Sequence, residues 1–285
     1  MLRPVVFCLA ALLSGSPATA AAPFEARVIQ SGHSLTDPIP VPLTRMLQEM
    51  GMRHPVIDPS TIPGSTMDWR WTHDAGVPGK DARRDIGNYD VLVLTERVPL
   101  SNTIQWHNSE AEALRWTRHA WKHGNDGKGA ATVIYGSWVE VISGPGFENP
   151  HRDPEGHLTF RERMPLEMVR WEAIADHVNA NLPKGAPPVP LIPGPLIMQA
   201  MAEAVAEGRV PGIAKMDDLF RDDIHVNDTG AYLIALAHYA VIYGRDPREL
   251  PDRIGAHGQE ELAAFMQDLV ARVIASYPRA RPQTS

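Results

Sequence analysis

Apolar positions along this chain fall into two alternating rhythms. Short, nearly unbroken apolar runs occur at Ala26-Arg27-Val28-Ile29-Gln30, Asp90-Val91-Leu92-Val93-Leu94, Ala131-Thr132-Val133-Ile134-Tyr135 and Val189-Pro190-Leu191-Ile192-Pro193. A weaker run is His54-Pro55-Val56-Ile57-Asp58. Runs of this length, rich in β-branched residues, predict strands covered on both faces. Between them, spacings of three and four predict helices over 41–50, 109–123, 164–181, 195–207, 229–243 and 260–277, the first two closed by Gly51 and Gly124. Strands alternating with helices predict an α/β fold, a central parallel sheet with helices on both faces. In such sheets a site lies at the carboxyl ends of the strands. Neither an internal repeat nor a linker divides the chain, so residues 21–285 read as one domain, ending in a frayed tail from 278.

The first twenty residues stand apart. Arg3, an apolar run from Val5 to Leu13 too short to cross a bilayer, and Ala18-Thr19-Ala20 make the pattern of a secretory signal peptide over 1–20. A periplasmic or extracellular protein cut near Ala20 is therefore expected. A lipoprotein signal is disfavoured, because Cys8 comes too early and lacks a small-residue lead-in. Cys8 is the only cysteine, so the mature chain has no thiol for a disulfide, a nucleophile or a metal. The 27 basic residues less Arg3 leave 26 against 34 acidic ones, a net charge of −8. That balance argues against nucleic acid and anionic membrane surfaces as partners. No later apolar stretch is long enough to insert in a membrane.

Candidate chemistry sits at the two ends of the mature chain. Val28-Ile29-Gln30-Ser31-Gly32-His33-Ser34-Leu35-Thr36-Asp37 is a strand running into a Gly-Ser turn. Asp222-Asp223-Ile224-His225-Val226-Asn227-Asp228-Thr229-Gly230 places a carboxylate and an imidazole three residues apart, just before a helix. A serine hydroxyl needs a neighbouring base to become a nucleophile. His225 suits that role by its near-neutral pKa, and Asp222 would hold its tautomer and stabilise the imidazolium. Either motif alone is weak, since Asn227-Asp228 also reads as a helix cap. Their positions, one after the first strand and one before a late helix, let them meet at one edge of the sheet.

Ser31-Gly32-His33-Ser34-Leu35-Thr36 resembles the first block of the SGNH (GDSL-like) hydrolases, and Asp222-x-x-His225-x-Asn227-Asp228-x-Gly230 resembles their fifth. The resemblance covers residues 26–243. It implies a flavodoxin-like three-layer α/β/α fold, hydrolysis of esters or thioesters of acylated sugars or lipids, and Ser34, His225 and Asp222 as nucleophile, base and orienting acid. It also implies an oxyanion hole in which the Ser34 and Gly64 amides take part, Gly64 standing in Ile62-Pro63-Gly64-Ser65-Thr66. The family's third block ends a strand with Gly-x-Asn-Asp. Here the strand ends Leu94-Thr95-Glu96-Arg97, and an ionised Glu96 only accepts hydrogen bonds. Asn102 or Asn108 further along the loop would have to swing in, Asn102 being the preferred donor, or the two amides act alone. His33, where the family often has Asp, either lines the site or orients the backbone.

Trp69 and Trp71, which follow Gly64, and Trp138, which follows the Ala131–Tyr135 strand, are the candidates for stacking on a sugar ring, although tryptophans more often serve the core. The loop 136–156, with Phe147, Asn149 and His151, and His157 beyond it, is the candidate substrate-shaping insertion. His119 and His123 have paired-ligand spacing but no completing residue, so neither metal nor cofactor is expected. The reading is an exported serine esterase acting on an O-acylated, chiefly acetylated, carbohydrate. Its alternatives are a lipid esterase or lysophospholipase, for which no amphipathic lid is found, and a non-catalytic carbohydrate-binding or accessory protein on the same fold.

Overall fold

The computed structural model describes residues 24–75, 80–252 and 259–281, and the expected signal segment 1–20 lies outside the described residues. The elements are, in order, β1 (Val28–Gly32), α1 (Pro40–Glu49), β2 (Ile57–Thr61), α2 (Met67–Thr72), β3 (Val91–Leu94), α3 (Leu100–Thr103), α4 (Ser109–His123), β4 (Ala131–Gly136), α5 (Phe160–Ala180), β5 (Leu191–Pro193), α6 (Gly194–Ala206), α7 (Asp228–Tyr243) and α8 (Glu260–Ser276). All five strands pair in parallel in the order β2-β1-β3-β4-β5. That is the flavodoxin-like order, whose direction reverses between β1 and β3 and opens a crevice beyond their carboxyl ends. Helices α1, α7 and α8 pack side by side, α4 and α5 form another group against β3 and β4, and the sheet lies between the layers.

Each predicted strand is present, and the shifts have local causes. β2 starts later than expected and contains Pro59, tolerated because β2 is the sheet's edge and one face of its backbone makes no ladder. α5 starts at Phe160 rather than 164, because Thr159 and Glu162 form a reciprocal capping box ahead of Pro165. α2 and α3, of six and four residues, were not expected. The tail is not frayed at its start: Arg279 Nε donates to Asp176 Oδ1 on α5 at 3.0 Å, and Ala280 is buried.

Two glycines are required by close approach. A Cβ on Gly32 would lie 2.1 Å from Thr36 Oγ1, and one on Gly230 would lie 2.5 Å from the Leu219 carbonyl oxygen. The first lets β1 fold directly into the turn that carries Ser34. The second lets the first turn of α7 press against the segment that carries Asp222 and His225. Gly230→Ala is expected to cost about 1–3 kcal/mol by overpacking. Gly87→Ala, whose added methyl meets only an ordinary contact at 3.5 Å, is the comparison in urea unfolding, and equal losses in the two would rule the packing argument out.

Candidate active site

Ser34 occupies the corner of a tight turn. The Thr36 amide donates to the His33 carbonyl at 2.8 Å, closing the turn directly beyond β1 and leaving the Ser34 side chain half-buried at the crevice. The Ser34 amide makes no hydrogen bond among the described residues.

The opposing loop is equally constrained. Phe220 and Val226 form an antiparallel bridge, and the Arg221 amide donates to the His225 carbonyl at 2.9 Å. Within this narrow hairpin Asp222 Oδ1 accepts from the Ile224 and His225 amides at 3.1 and 2.7 Å. Asn227 caps α7 by accepting from the Thr229 and Gly230 amides and donates to the Asp218 carbonyl at 2.8 Å. Local hydrogen bonds therefore set the angle between Asp222 and His225.

These two turns meet. His225 Nδ1 lies 2.9 Å from both carboxylate oxygens of Asp222, and His225 Nε2 lies 2.7 Å from Ser34 Oγ. A carboxylate only accepts, so Nδ1 carries the proton and the Nε2 lone pair faces the serine hydroxyl. Partial burial alone would raise the Asp222 pKa, but the His225 and Ile224 amides and the imidazole outweigh it and hold the carboxyl below its ordinary value. The arrangement can take a proton from Ser34 Oγ and return it.

Beneath the turn lies a charged layer that sequence reasoning missed. Arg70 of α2 is buried, with Nε donating to Ser31 Oγ at 3.1 Å, Nη1 to the Ser65 carbonyl at 2.8 Å and Nη2 to the Thr95 carbonyl. Burial lowers its pKa to about 10, against the favourable charge of Glu96. Glu96 Oε1 accepts from the Met67 amide at 3.0 Å and the Arg97 amide at 2.8 Å. Burial pushes the Glu96 carboxyl up, with Arg70 and those amides pulling the other way. His33 Nε2 lies 2.9 Å from the Glu96 carbonyl oxygen, which fixes the proton on Nε2 and turns Nδ1 toward the Leu35 amide. Burial first, and then the charge of Arg70, lower the His33 pKa to about 4. His33 thus orients the backbone of the serine turn as a neutral ring.

Of the other expected site residues, Gly64 sits in a turn in which the Ser65 amide donates to the Ile62 carbonyl at 3.2 Å. Its φ of 65° and the preceding Pro63 are those of a type II turn, so the turn itself demands glycine. The Ile62 amide donates to the Gly32 carbonyl at 3.1 Å, which fastens this turn beside the serine turn, and the Gly64 amide has no partner among the described residues.

Asn102 already bonds the long loop. Its amide donates to the His151 carbonyl at 3.0 Å, and its oxygen accepts from Gln105 at 3.0 Å, so it ties α3 to the long loop. Asn108 caps α4. Trp138 is not a stacking surface: it is fully buried, and its indole donates to the Ile224 carbonyl at 2.8 Å. Trp71 turns toward α4, edge-on to Trp116 and under the Arg115 guanidinium. Trp69 remains 50% exposed and stacks on His73 at 3.7 Å. His119 Nε2 is engaged by the Arg83 carbonyl at 2.7 Å. Among the described residues no group of three His, Cys, Asp or Glu is placed to hold a metal, and no helix is long and apolar enough to cross a membrane.

The long loop is tied at both ends. Its Val141 amide donates to the Asp223 carbonyl at 2.7 Å, beside the Trp138 bond to Ile224. Its Asp153 accepts from Ser101 Oγ at 2.6 Å and pairs with the buried Arg163.

No protein-family model matches the sequence, and no curated protein matches it. A DUF4886 family protein from Bacteroides uniformis has the same fold across 91% of this chain and 97% of its own, with a TM-score of 0.63 and 13% identity. A protein from Slackia heliotrinireducens provisionally described as an SGNH hydrolase aligns at TM-score 0.43 and 18% identity over 75% of this chain and 96% of its own. One from Parabacteroides merdae provisionally described as a GDSL-like lipase aligns at 0.47 and 14% over 77% and 96%. The three-layer α/β/α assignment rests on the sheet order and on the first of these.

The neutral state of His33 has a consequence for stability. Above about 6.5 His33 is neutral folded and unfolded; between there and about 4 only the unfolded chain takes up the proton. Stability contributed by His33 is therefore lost as pH falls through that window. Glu96 and Glu167, both raised by burial, act in the opposite sense, so the diagnostic quantity is a difference. His33→Asn should lose less unfolding free energy than the wild type between pH 6.5 and 4, measured by urea titration. A parallel loss would contradict a buried neutral ring.

Proposed function

We propose that this protein is an exported SGNH-type serine esterase, with Ser34 as nucleophile, His225 as general base and acid, and Asp222 as the group that orients His225. The observation that carries the reading is the 2.7 Å contact between Ser34 Oγ and His225 Nε2, made across 191 positions of sequence. His225 Nε2 takes the hydroxyl proton as Oγ attacks the ester carbonyl, and the carbonyl electrons move to oxygen. Collapse of the tetrahedral intermediate expels the alcohol, which takes the proton from His225, and leaves an acyl-serine. Water, activated by the same imidazole, then releases the acid and restores the hydroxyl. The free amides of Ser34 and Gly64 are the oxyanion donors offered by the backbone.

An O-acetylated carbohydrate is the favoured substrate, with Trp69 as the exposed aromatic platform beside the turn that holds Gly64. A specific observation supports a second reading, an ester with a long acyl chain. Five exposed large apolar side chains, Val41, Trp69, Ile104, Trp106 and Ile142, lie in the segments that follow β1, β2, β3 and β4. Exposed apolar surface gathered around an opening marks a binding surface.

The test uses aryl acetate, butyrate and octanoate with the mature protein. Ser34→Ala should lower kcat by about 10⁴-fold or more, and a fluorophosphonate should label Ser34 in the wild type. Asn102→Ala should fall well short of the about 10²-fold loss seen when an oxyanion donor is removed. A kcat/KM that falls from acetate to octanoate supports the carbohydrate-acetate reading, and a rise supports the long-chain one. Failure of Ser34 to be labelled, with no turnover of any ester, would refute the hydrolase and leave a binding protein.

A further inference from the structure

An ester carbonyl attacked by Ser34 becomes an oxyanion, and a negative charge forming in a crevice is held by donors fixed around it. Two backbone amides are available, and Asn102 gives one of its N–H groups to the His151 carbonyl and accepts from Gln105. Arg97 offers a charged side-chain donor. Ser31 of β1 is in register with Leu94 of β3, so Ser34 and Arg97 each stand three residues beyond a paired position on adjacent strands at the reversal point of the sheet. The alignment persists past the strands, because the His33 ring bonds the carbonyl of Glu96, the residue immediately before Arg97. The Arg97 amide is fixed by Glu96 Oε1 at 2.8 Å, so the point from which its side chain departs is anchored.

That side chain is exposed, and its guanidinium has no hydrogen bond or ion pair among the described residues. It stands near enough for its charge to be among those that keep His33 neutral. The contrast with Arg70 is instructive. Arg70 spends its donors on Ser31, Ser65 and Thr95, whereas Arg97 keeps five N–H donors and a permanent charge for something outside the chain.

We propose that Arg97 is a catalytic residue that supplies the side-chain donor of the oxyanion hole, binding the oxygen of the tetrahedral intermediate opposite the Ser34 and Gly64 amides. This rests on the serine-esterase reading. As the Ser34 Oγ–carbon bond forms, the carbonyl π electrons move onto oxygen and Arg97 N–H groups donate to it; when the carbonyl re-forms, the alcohol leaves with the proton from His225 and Arg97 keeps all its own protons.

The experiment measures turnover of a neutral aryl acetate and of the corresponding anionic hemisuccinate, together with the rate at which a fluorophosphonate modifies Ser34, in wild type, Arg97→Ala and Arg97→Gln. The phosphoryl oxygen of the probe occupies the same hole, so the labelling rate reports on the donors without the natural substrate. Arg97→Ala should lower both kcat on the acetate and the labelling rate by about 10²-fold, leave KM nearly unchanged, and leave the unfolding curve in place because the residue is exposed. Arg97→Gln, which keeps an uncharged N–H donor, should recover part of the loss. An effect confined to KM for the hemisuccinate would overturn the proposal in favour of an arginine that reads substrate charge. Unchanged kinetics with Ser34 still labelled would overturn it while the esterase reading stands. An unlabelled Ser34 in the wild type would overturn both.

Discussion

The guanidinium of Arg70 is the interaction on which the geometry of the crevice depends. A buried charge is tolerated only when its hydrogen bonds are made, and removing a partner from such a group typically costs about 3–5 kcal/mol. Arg70 meets that demand with groups from three separate segments: Ser31 of β1, Ser65 beside the Gly64 turn, and Thr95 just past β3. Satisfying one ion thus fixes the relative positions of the turns that carry Ser34, Gly64 and Arg97. Glu96 adds the reciprocal half. It supplies charge to Arg70 and accepts the Met67 amide, anchoring the first turn of the short helix from which Arg70 itself projects.

The same logic operates on the other side of the crevice. The Asp222–His225 hairpin joins no sheet ladder among the described residues, and its position comes from Asn227 capping α7, from Gly230 admitting the Leu219 carbonyl, and from the long loop. The loop meets the hairpin through the Trp138 indole and the Val141 amide, and reaches back to α3 and α5 through Asp153, Ser101 and Arg163. What the sequence presents as an irregular insertion is a brace whose buried indole presses on the loop that carries the imidazole. It couples His225 to α5.

What was legible beforehand follows from how each feature is encoded. Strands buried on both faces need unbroken apolar runs, so Val91–Leu94 and Ala131–Gly136 announce themselves, and the helices between them follow from period. α2 and α3 are too short to show a period, and α2 is held by a hydrogen bond to Glu96 rather than by its own pattern. Ser34, Asp222 and His225 were legible because each lies in a short contiguous motif. Arg70 and Glu96 were not, since isolated charged residues are expected at the surface, and only the parallel pairing of β1 with β3 brings them under one turn. Trp138 was misread for a related reason: its type says that it buries area, while its destination, the Ile224 carbonyl, lies 86 positions away.

Glu96 combines two roles beneath the site. Judged as a donor it is a loss, because a carboxylate cannot bond an oxyanion. Judged as an acceptor beneath the site it does something an amide could not do as well. Its charge compensates Arg70, and one of its oxygens receives two backbone amides, one of them that of Arg97. Glu96 is buried, and Arg97, the residue after it, is exposed. A buried negative charge and an exposed positive one therefore share the same few ångströms of backbone at the reversal point of the sheet. On the proposed reading, the donor chemistry falls to the side chain following Glu96, whose guanidinium has no ion pair among the described residues.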